Sequence, residues 1–355
     1  MSTPRVDPPR RTSRVAFIVA AAIGFAALLV LFLLADAKEL LRTAQSVHLA
    51  ALALPMLLSV LSYGAMARSY QGIADAAGAR LSFRDWVRIT FVSNTANYIV
   101  TSAGLSGFAV RMLLLAQQGV SSSRAVLISL VQTFLTNFTL LFFILGGFVS
   151  LVVRKHLGGA FLWITTFAVV AFALILVFVF VLVIRPALRK RTLRWVTVTL
   201  HRVLHRVARR WTPPRERFVQ LQRNLDQGLD FLLTRKTLMV APTLWILFDW
   251  VLTVGVLWAA FQAVNFPLPP RIVIMGFGVG LFFSLVSFVP AGLGIMEGSM
   301  TYVFVKFLKV PLESSVLAVL IFRLTYQVVP LVVSLFLFHG LVRQALRQVA
   351  SGSRG

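Results

Sequence analysis

The chain contains no cysteine in 355 residues, which excludes disulfides, thiolate nucleophiles and cysteine metal ligands. Acidic residues are scarce too, 11 against 35 Lys and Arg, for a formal net charge of +24. Of the five histidines, only His201 and His205 have ligand spacing, and the surrounding arginines would repel a cation. No metal site is expected. The phosphate-cradling GxxxxGK[ST], the dinucleotide GxGxxG and the nucleophile elbow GxSxG are all missing. No cofactor is therefore expected, and nothing points to an enzyme.

What the chain has in quantity is hydrophobic length. It is 58% hydrophobic with a mean hydropathy of +0.86, whereas soluble domains hold roughly 45–50% apolar residues. Val15–Leu34 and Ala160–Ile184 are uncharged throughout, and about 20 apolar residues cross ~30 Å of hydrocarbon. The first run is long for a signal peptide and lacks a small-residue cleavage pattern, so a retained helix is expected. In such a chain the basic excess reads as positive-inside bias, not as a nucleic-acid footprint.

Charge and parity then set the topology. Six full crossings are expected, at Val15–Leu34, Leu49–Ala67, Ala125–Val152, Ala160–Ile184, Leu238–Phe261 and Ser314–Leu341. With the basic N-terminus (1–14) in the cytoplasm, the stretch 185–236, which carries fourteen Lys or Arg, and the tail 342–355 must also be cytoplasmic. That holds only if the two interrupted apolar stretches, 86–116 and 272–307, each enter and leave on the same side. The expected fold is an all-α polytopic membrane protein with two re-entrant helical hairpins. One lies in the half 15–184 and one in the half 237–341. Both hairpins contain Ala-Gly-Leu, at 103–105 and 291–293, consistent with an inverted repeat of the kind secondary transporters use. Arginine outnumbers lysine 29 to 6, as in GC-rich bacterial genomes, so a bacterial inner membrane is the expected location.

In the cytoplasmic stretch, Val196, Leu200, Val203, Leu204 and Val207 fall within about 100° of a helical wheel, opposite Arg194, Arg202, Arg206 and Arg209. A helix over 194–211 of this kind is suited to an anionic inner leaflet through 194–210. After Pro213-Pro214, a second amphipathic helix carries Phe218, Leu221, Leu225, Leu229 and Leu232. The segment also offers a docking surface for a lipid-synthesis partner or a second copy of the chain.

The second hairpin turns at FVPAGLGIMEG (288–298). Pro290 stops the incoming helix, and Gly292 and Gly294 permit a tight turn with open backbone N–H groups. A new half-helix then starts at membrane depth, where its N-terminus favours an anion. The first hairpin does the same near Gly104 and Gly107. Four ionisable residues lie at this depth: Arg111, Asp249, Glu297 and Arg323. Burying any one alone costs about 2.5–3.5 kcal/mol on insertion scales. Arg111 and Arg323 are candidates to hold a lipid phosphate, with Glu297 competing for them and releasing it. Asn94, Asn97, Ser102, Gln132, Asn137, Tyr326 and Gln327 are candidate lining. Asp249 and Glu297 are candidates for a proton or charge relay. Two structural alternatives stand for Glu297: capping its own helix, since it occupies position N3, or neutralising Arg323.

Three segments, PAGLGIMEG (290–298), AVRMLLL (109–115) and LIFRLTYQVVP (320–330), make the chain resemble the lysylphosphatidylglycerol synthase transmembrane-region family over about residues 15–345. That resemblance implies an integral membrane protein that moves lipids between leaflets, with Arg111, Glu297 and Arg323 as motif residues. Some family members join this region to a soluble aminoacyl-transferring domain; with 342–355 after the last crossing, that activity is not expected here. Related sequences often carry a proline near the first turn, where this chain has Thr101-Ser102. Lipid transport is the leading expectation; an intramembrane enzyme or a docking factor are the alternatives.

The absence of native cysteine makes the topology testable with single introduced thiols. Thr192→Cys and Ser351→Cys are expected to resist a membrane-impermeant maleimide in intact cells and to react once the membrane is opened. Labelling in intact cells would invert the assignment.

Overall fold

Among the described residues, four helical stretches are long and apolar enough to cross a membrane: Leu49–Ala76, Ser122–Val153, Lys236–Ala263 and Leu312–Leu337. Val169–Leu182 and Pro186–Thr192, bent by 113° at the break between them, make a fifth only when taken together as one span. The computed structural model describes residues 37–99, 105–153, 159–207, 215–287, 289 and 292–337. These residues form helices and no strand, the architecture of an all-α polytopic membrane protein. The expected crossing at 15–34, both chain termini, Pro213-Pro214 and the hairpin tips at 100–104 and 290–291 lie outside the described residues.

In order, the helices are α1 (Ala37–Gln45), α2 (Ala53–Ala76, entered through a 3-10 turn at Leu49–Leu52), α3 (Phe83–Ile99) and α4 (Leu105–Gln117). Then come α5 (Ser122–Val153), α6 (Gly159–Ile184), α7 (Pro186–Val207), α8 (Arg215–Thr234) and α9 (Lys236–Ala263). The last are α10 (Pro270–Val286), α11 (Ile295–Leu308) and α12 (Leu312–Arg323). A π-type turn at Leu324–Val328 continues α12, and the span reaches Leu337.

The axis of the fold is the antiparallel pair α2 and α9. Leu58 meets Gly255 and Gly72 meets Pro242, so the two helices run along each other in opposite directions. Pro242 sits inside α9, where its ring removes one backbone donor. The bare Gly72 face opposite leaves room for that ring, since a Cβ there would stand 2.9 Å from Pro242 Cγ.

Both interrupted stretches form helical hairpins. In α3–α4 the partners are Ser93 with Arg111 and Asn97 with Gly107. In α10–α11, Gly276 faces the Phe304 ring and Gly280 faces Met300. Each hairpin also leans on a long helix of the other half. Helix α10 meets α5 where Gly278 and Gly147 touch. Helix α3 meets the last span where Thr95 Oγ1 and Ser334 Oγ lie 2.6 Å apart and Ser334 Oγ donates to the Phe91 carbonyl. Small residues at such crossings let backbones approach closely, the main source of helix association in lipid.

Helix α7 starts at Pro186, earlier than the amphipathic pattern at 194 indicates. The reason is Arg189, buried between α7 and α8, whose Nε donates to Asp226 Oδ1 at 2.6 Å and whose Nη2 donates to Asp230 Oδ1. Burial alone would depress its pKa; its hydrogen bonds to the Asp226 and Asp230 carboxylates and their charges outweigh it and raise the value. Helix α8 in turn lays Gly228 against Leu127, Leu130 and Val131 of α5. The basic segment is thereby anchored to the bundle.

At Gly278 an added Cβ would lie 2.6 Å from the Phe143 carbonyl oxygen and 2.8 Å from Gly147 Cα, both backbone. Gly278→Ala is expected to destabilise by about 1–3 kcal/mol through overpacking. At Gly64 in α2 a Cβ meets nothing within 4 Å, so Gly64→Ala should be neutral or stabilise by up to about 1 kcal/mol. Thermal unfolding of the two variants in one detergent checks the contrast; equal behaviour would remove the close-approach argument.

Candidate functional site

The break between α10 and α11 is built from the positive φ of two glycines. Gly292 has φ 62° and Gly294 has φ 76°, a region other residues enter only with strain. The Gly292 amide donates to the Val289 carbonyl at 3.0 Å. A Cβ on Gly292 would sit 2.2 Å from Ser284 Oγ, so the turn is pressed against the end of α10. Gly294 is the N-cap of α11, which places Glu297 at its third position.

Arg323 reaches this break from the last span. Its Nε lies 2.6 Å from Glu297 Oε1, and its Nη2 donates to the Gly292 carbonyl at 3.3 Å. One guanidinium therefore holds both a carbonyl freed by the interruption and the carboxylate at the start of the new helix. Of the two structural alternatives for Glu297, the geometry has the ion pair with Arg323. Its second oxygen, Oε2, is buried without a hydrogen-bond partner among the described residues.

The first hairpin solves the same problem with an amide. Gly107 is in the first turn of α4, where backbone N–H groups lack helical acceptors. Its N–H donates to Asn97 Oδ1 at 2.7 Å. A Cβ at Gly107 would stand 2.4 Å from the Ser93 carbonyl oxygen, so only glycine lets α3 and α4 close this far. One turn on, the Arg111 guanidinium lies 4.4 Å over the Tyr70 ring and donates from Nη2 to Ser93 Oγ at 3.4 Å. Among the described residues, no carboxylate is within 4.0 Å of it, and its Nε has no hydrogen-bond partner.

Asp249 is held elsewhere, between α9 and α2. Ser62 Oγ donates to its Oδ1. Thr253 Oγ1, 3.2 Å from Ser62 Oγ, donates to the Asp249 carbonyl at 2.9 Å or to the Tyr326 hydroxyl at 3.1 Å. Arg111, Asp249, Glu297 and Arg323 are all between 2% and 6% exposed.

A cavity of about 340 Å³ opens among these elements. One part of its lining is polar, with Asn94, Asn97, Thr136, Asp249, Thr253 and Ser284, joined by Tyr326 and Gln327. The other part includes Met66, Trp250, Phe277 and Phe322. The structure thus brings Asn94, Asn97, Tyr326, Gln327 and Asp249 together around one space. Arg111, Glu297 and Arg323 are not among its lining residues. Gln132 instead accepts from Ser69 Oγ at 2.9 Å, and Asn137 Nδ2 donates to the Thr133 carbonyl. Gly104, Ser102 and Pro290 lie outside the described residues. Sequence reasoning missed Ser62, Thr253 and Tyr70; only Thr253 carried a local signal, standing four residues after Asp249 on the same helix face.

A family model described as the lysylphosphatidylglycerol synthase TM region matches residues 17–334. No curated protein matches the chain.

Breaking the buried pair is expected to cost about 3–5 kcal/mol, because the remaining charge is left without a partner. Arg323→Gln should therefore unfold well below wild type, and the double variant Glu297→Gln/Arg323→Gln should recover most of the loss. Additive effects in a double-mutant cycle would show that the two side chains are not coupled.

Proposed function

Because the chain belongs to the lysylphosphatidylglycerol synthase transmembrane-region family, we propose that this multi-pass membrane protein is a flippase moving a phosphate-bearing lipid between leaflets. The observation that carries the reading is Arg111. A guanidinium 3% exposed, with no carboxylate among the described residues within 4.0 Å, is costly in an apolar layer. The Tyr70 face offsets part of that cost, about 2 kcal/mol for a desolvated contact. An anionic headgroup would supply the missing counter-charge, and a guanidinium binds phosphate through two parallel hydrogen bonds.

Arg323 and Glu297 supply the second half of the cycle. Phosphate competes with Glu297 for the Arg323 guanidinium; when the phosphate leaves, the carboxylate returns and the empty site is neutral. The two hairpins, read as re-entrant from opposite sides in an inverted repeat, give one leaflet the hairpin that carries Arg111 and the other the hairpin that Arg323 of the last span holds. The 340 Å³ cavity is within the usual range of ligand pockets, roughly 300–1,000 Å³. Its mixed lining suits a headgroup followed by the first carbons of an acyl chain. Exposed Arg194, Trp195 and Arg202 on α7 suit an anionic leaflet. That leaflet is the cytoplasmic one in this reading.

Mass spectrometry of lipids retained by the purified protein tests the proposal. Wild type is expected to enrich one phosphate-bearing class over the bulk membrane, and folded Arg111→Gln to lose that enrichment. Bulk lipid alone in both proteins would refute it.

A further inference from the structure

A phosphate headgroup and this cavity are mismatched in one respect. The one acidic or basic side chain among the cavity's described lining is the carboxylate of Asp249. An ionised carboxylate repels a phosphate, and the low dielectric around it makes the repulsion strong. No Lys or Arg among the described residues forms a salt bridge with Asp249. Its neutralisation therefore has to come from the cavity itself.

We infer that Asp249 is a proton-binding site of this cavity, and that its protonation sets when the cavity admits an anionic headgroup. The carboxylate takes one proton from cavity water to become a neutral carboxylic acid, and returns it when the headgroup has passed. The surrounding geometry favours a proton over a metal cation. Ser62 Oγ, Thr253 Oγ1 and the Tyr326 hydroxyl already bond to Asp249 or to one another at up to 3.2 Å. No group of three or more His, Asp or Glu side chains that could hold a metal ion occurs among the described residues. Hydroxyls in such a chain both donate and accept. With Thr253 and Tyr326 also lining the cavity, the chain runs from open space to the buried carboxylate.

The other titratable and charged groups facing Asp249 are few. From α2 come Tyr70, close enough to feel the charges of both Asp249 and Arg111, and Tyr63, whose hydroxyl donates to the Tyr326 carbonyl. Tyr326 faces it from the last span. Helices α5 and α10 present Thr136 and Ser284 to the cavity, and α11 presents Met296 while Glu297 turns to Arg323. A change of charge at Asp249 is thus felt by Tyr70, the ring on which Arg111, the proposed phosphate anchor, rests.

The regulatory half of this inference rests on the phosphate-lipid reading; the proton site does not. Infrared titration of the full chain in phosphatidylcholine vesicles tests the site directly. A protonated-carboxyl band is expected to grow as pH falls, to vanish in Asp249→Asn and to persist in Glu297→Gln. Ser62→Ala should move its midpoint and Ser59→Ala, one turn away, should not. This pair keeps the test decisive if Asp249→Asn fails to fold. A band that never titrates, survives Asp249→Asn or ignores Ser62→Ala overturns the site. With phosphatidylglycerol added as probe, wild type should retain less of it as pH rises, and Asp249→Asn should retain the same amount throughout. Retention by wild type that ignores pH overturns the regulatory half. A titrating band with no phosphatidylglycerol held at any pH leaves the proton site standing and rejects the phosphate-lipid reading.

Discussion

A helix that stops inside an apolar layer exposes backbone donors and acceptors with no water to satisfy them. On the re-entrant reading both hairpins of this protein stand on that constraint, and each answers it with a side chain brought from another helix. Asn97 of α3 accepts from Gly107, and Arg323 donates to the Gly292 carbonyl. The second answer has a consequence. A guanidinium used as a backbone cap brings a full charge into the bundle, so Glu297 follows it. Polarity at the breaks is in this sense forced by the breaks, and a site for polar ligands is available as a result.

Close packing decides where those groups end up. Gly276, Gly278 and Gly280 lie two apart along α10, and the helix turns them toward different neighbours: Phe304, Gly147 and Met300. Because the outer two approach side chains of α11 and the middle one approaches the backbone of α5, the hairpin is fixed between them. Its rigid seat positions Ser284 and Met296 at the cavity and Glu297 away from it.

The two arginines and two carboxylates are formally balanced but not mutually satisfied. Arg323 and Glu297 neutralise each other locally. Arg111 rests on an aromatic face and Asp249 on a serine hydroxyl, with Tyr70 feeling both. A paired charge is static until something competes for it, whereas a charge without a charged partner responds to whichever ion or proton arrives. That division gives the proposed transport cycle one exchange step and one switching step.

The sequence by itself determined the class of protein and much of its layout. Hydrophobic runs of spanning length, scarce acids and the Gly-x-Gly before Glu297 are local features, and local physics fixes what they do. Crossings long enough for the layer, a helix break at positive φ and a new helix start at Gly294 all follow from them. The buried status of Arg111, Asp249, Glu297 and Arg323 was also legible, since all four sit within or beside apolar runs. Tertiary structure alone decided the pairing: that Arg323 takes Glu297, that Arg111 takes Tyr70, that Ser62 serves Asp249, and that Arg189 reaches across to Asp226 and Asp230. Contacts of that kind join residues up to 187 positions apart, and they depend on which faces two helices turn to each other. Periodicity shows that a helix has faces; only packing shows what each face meets.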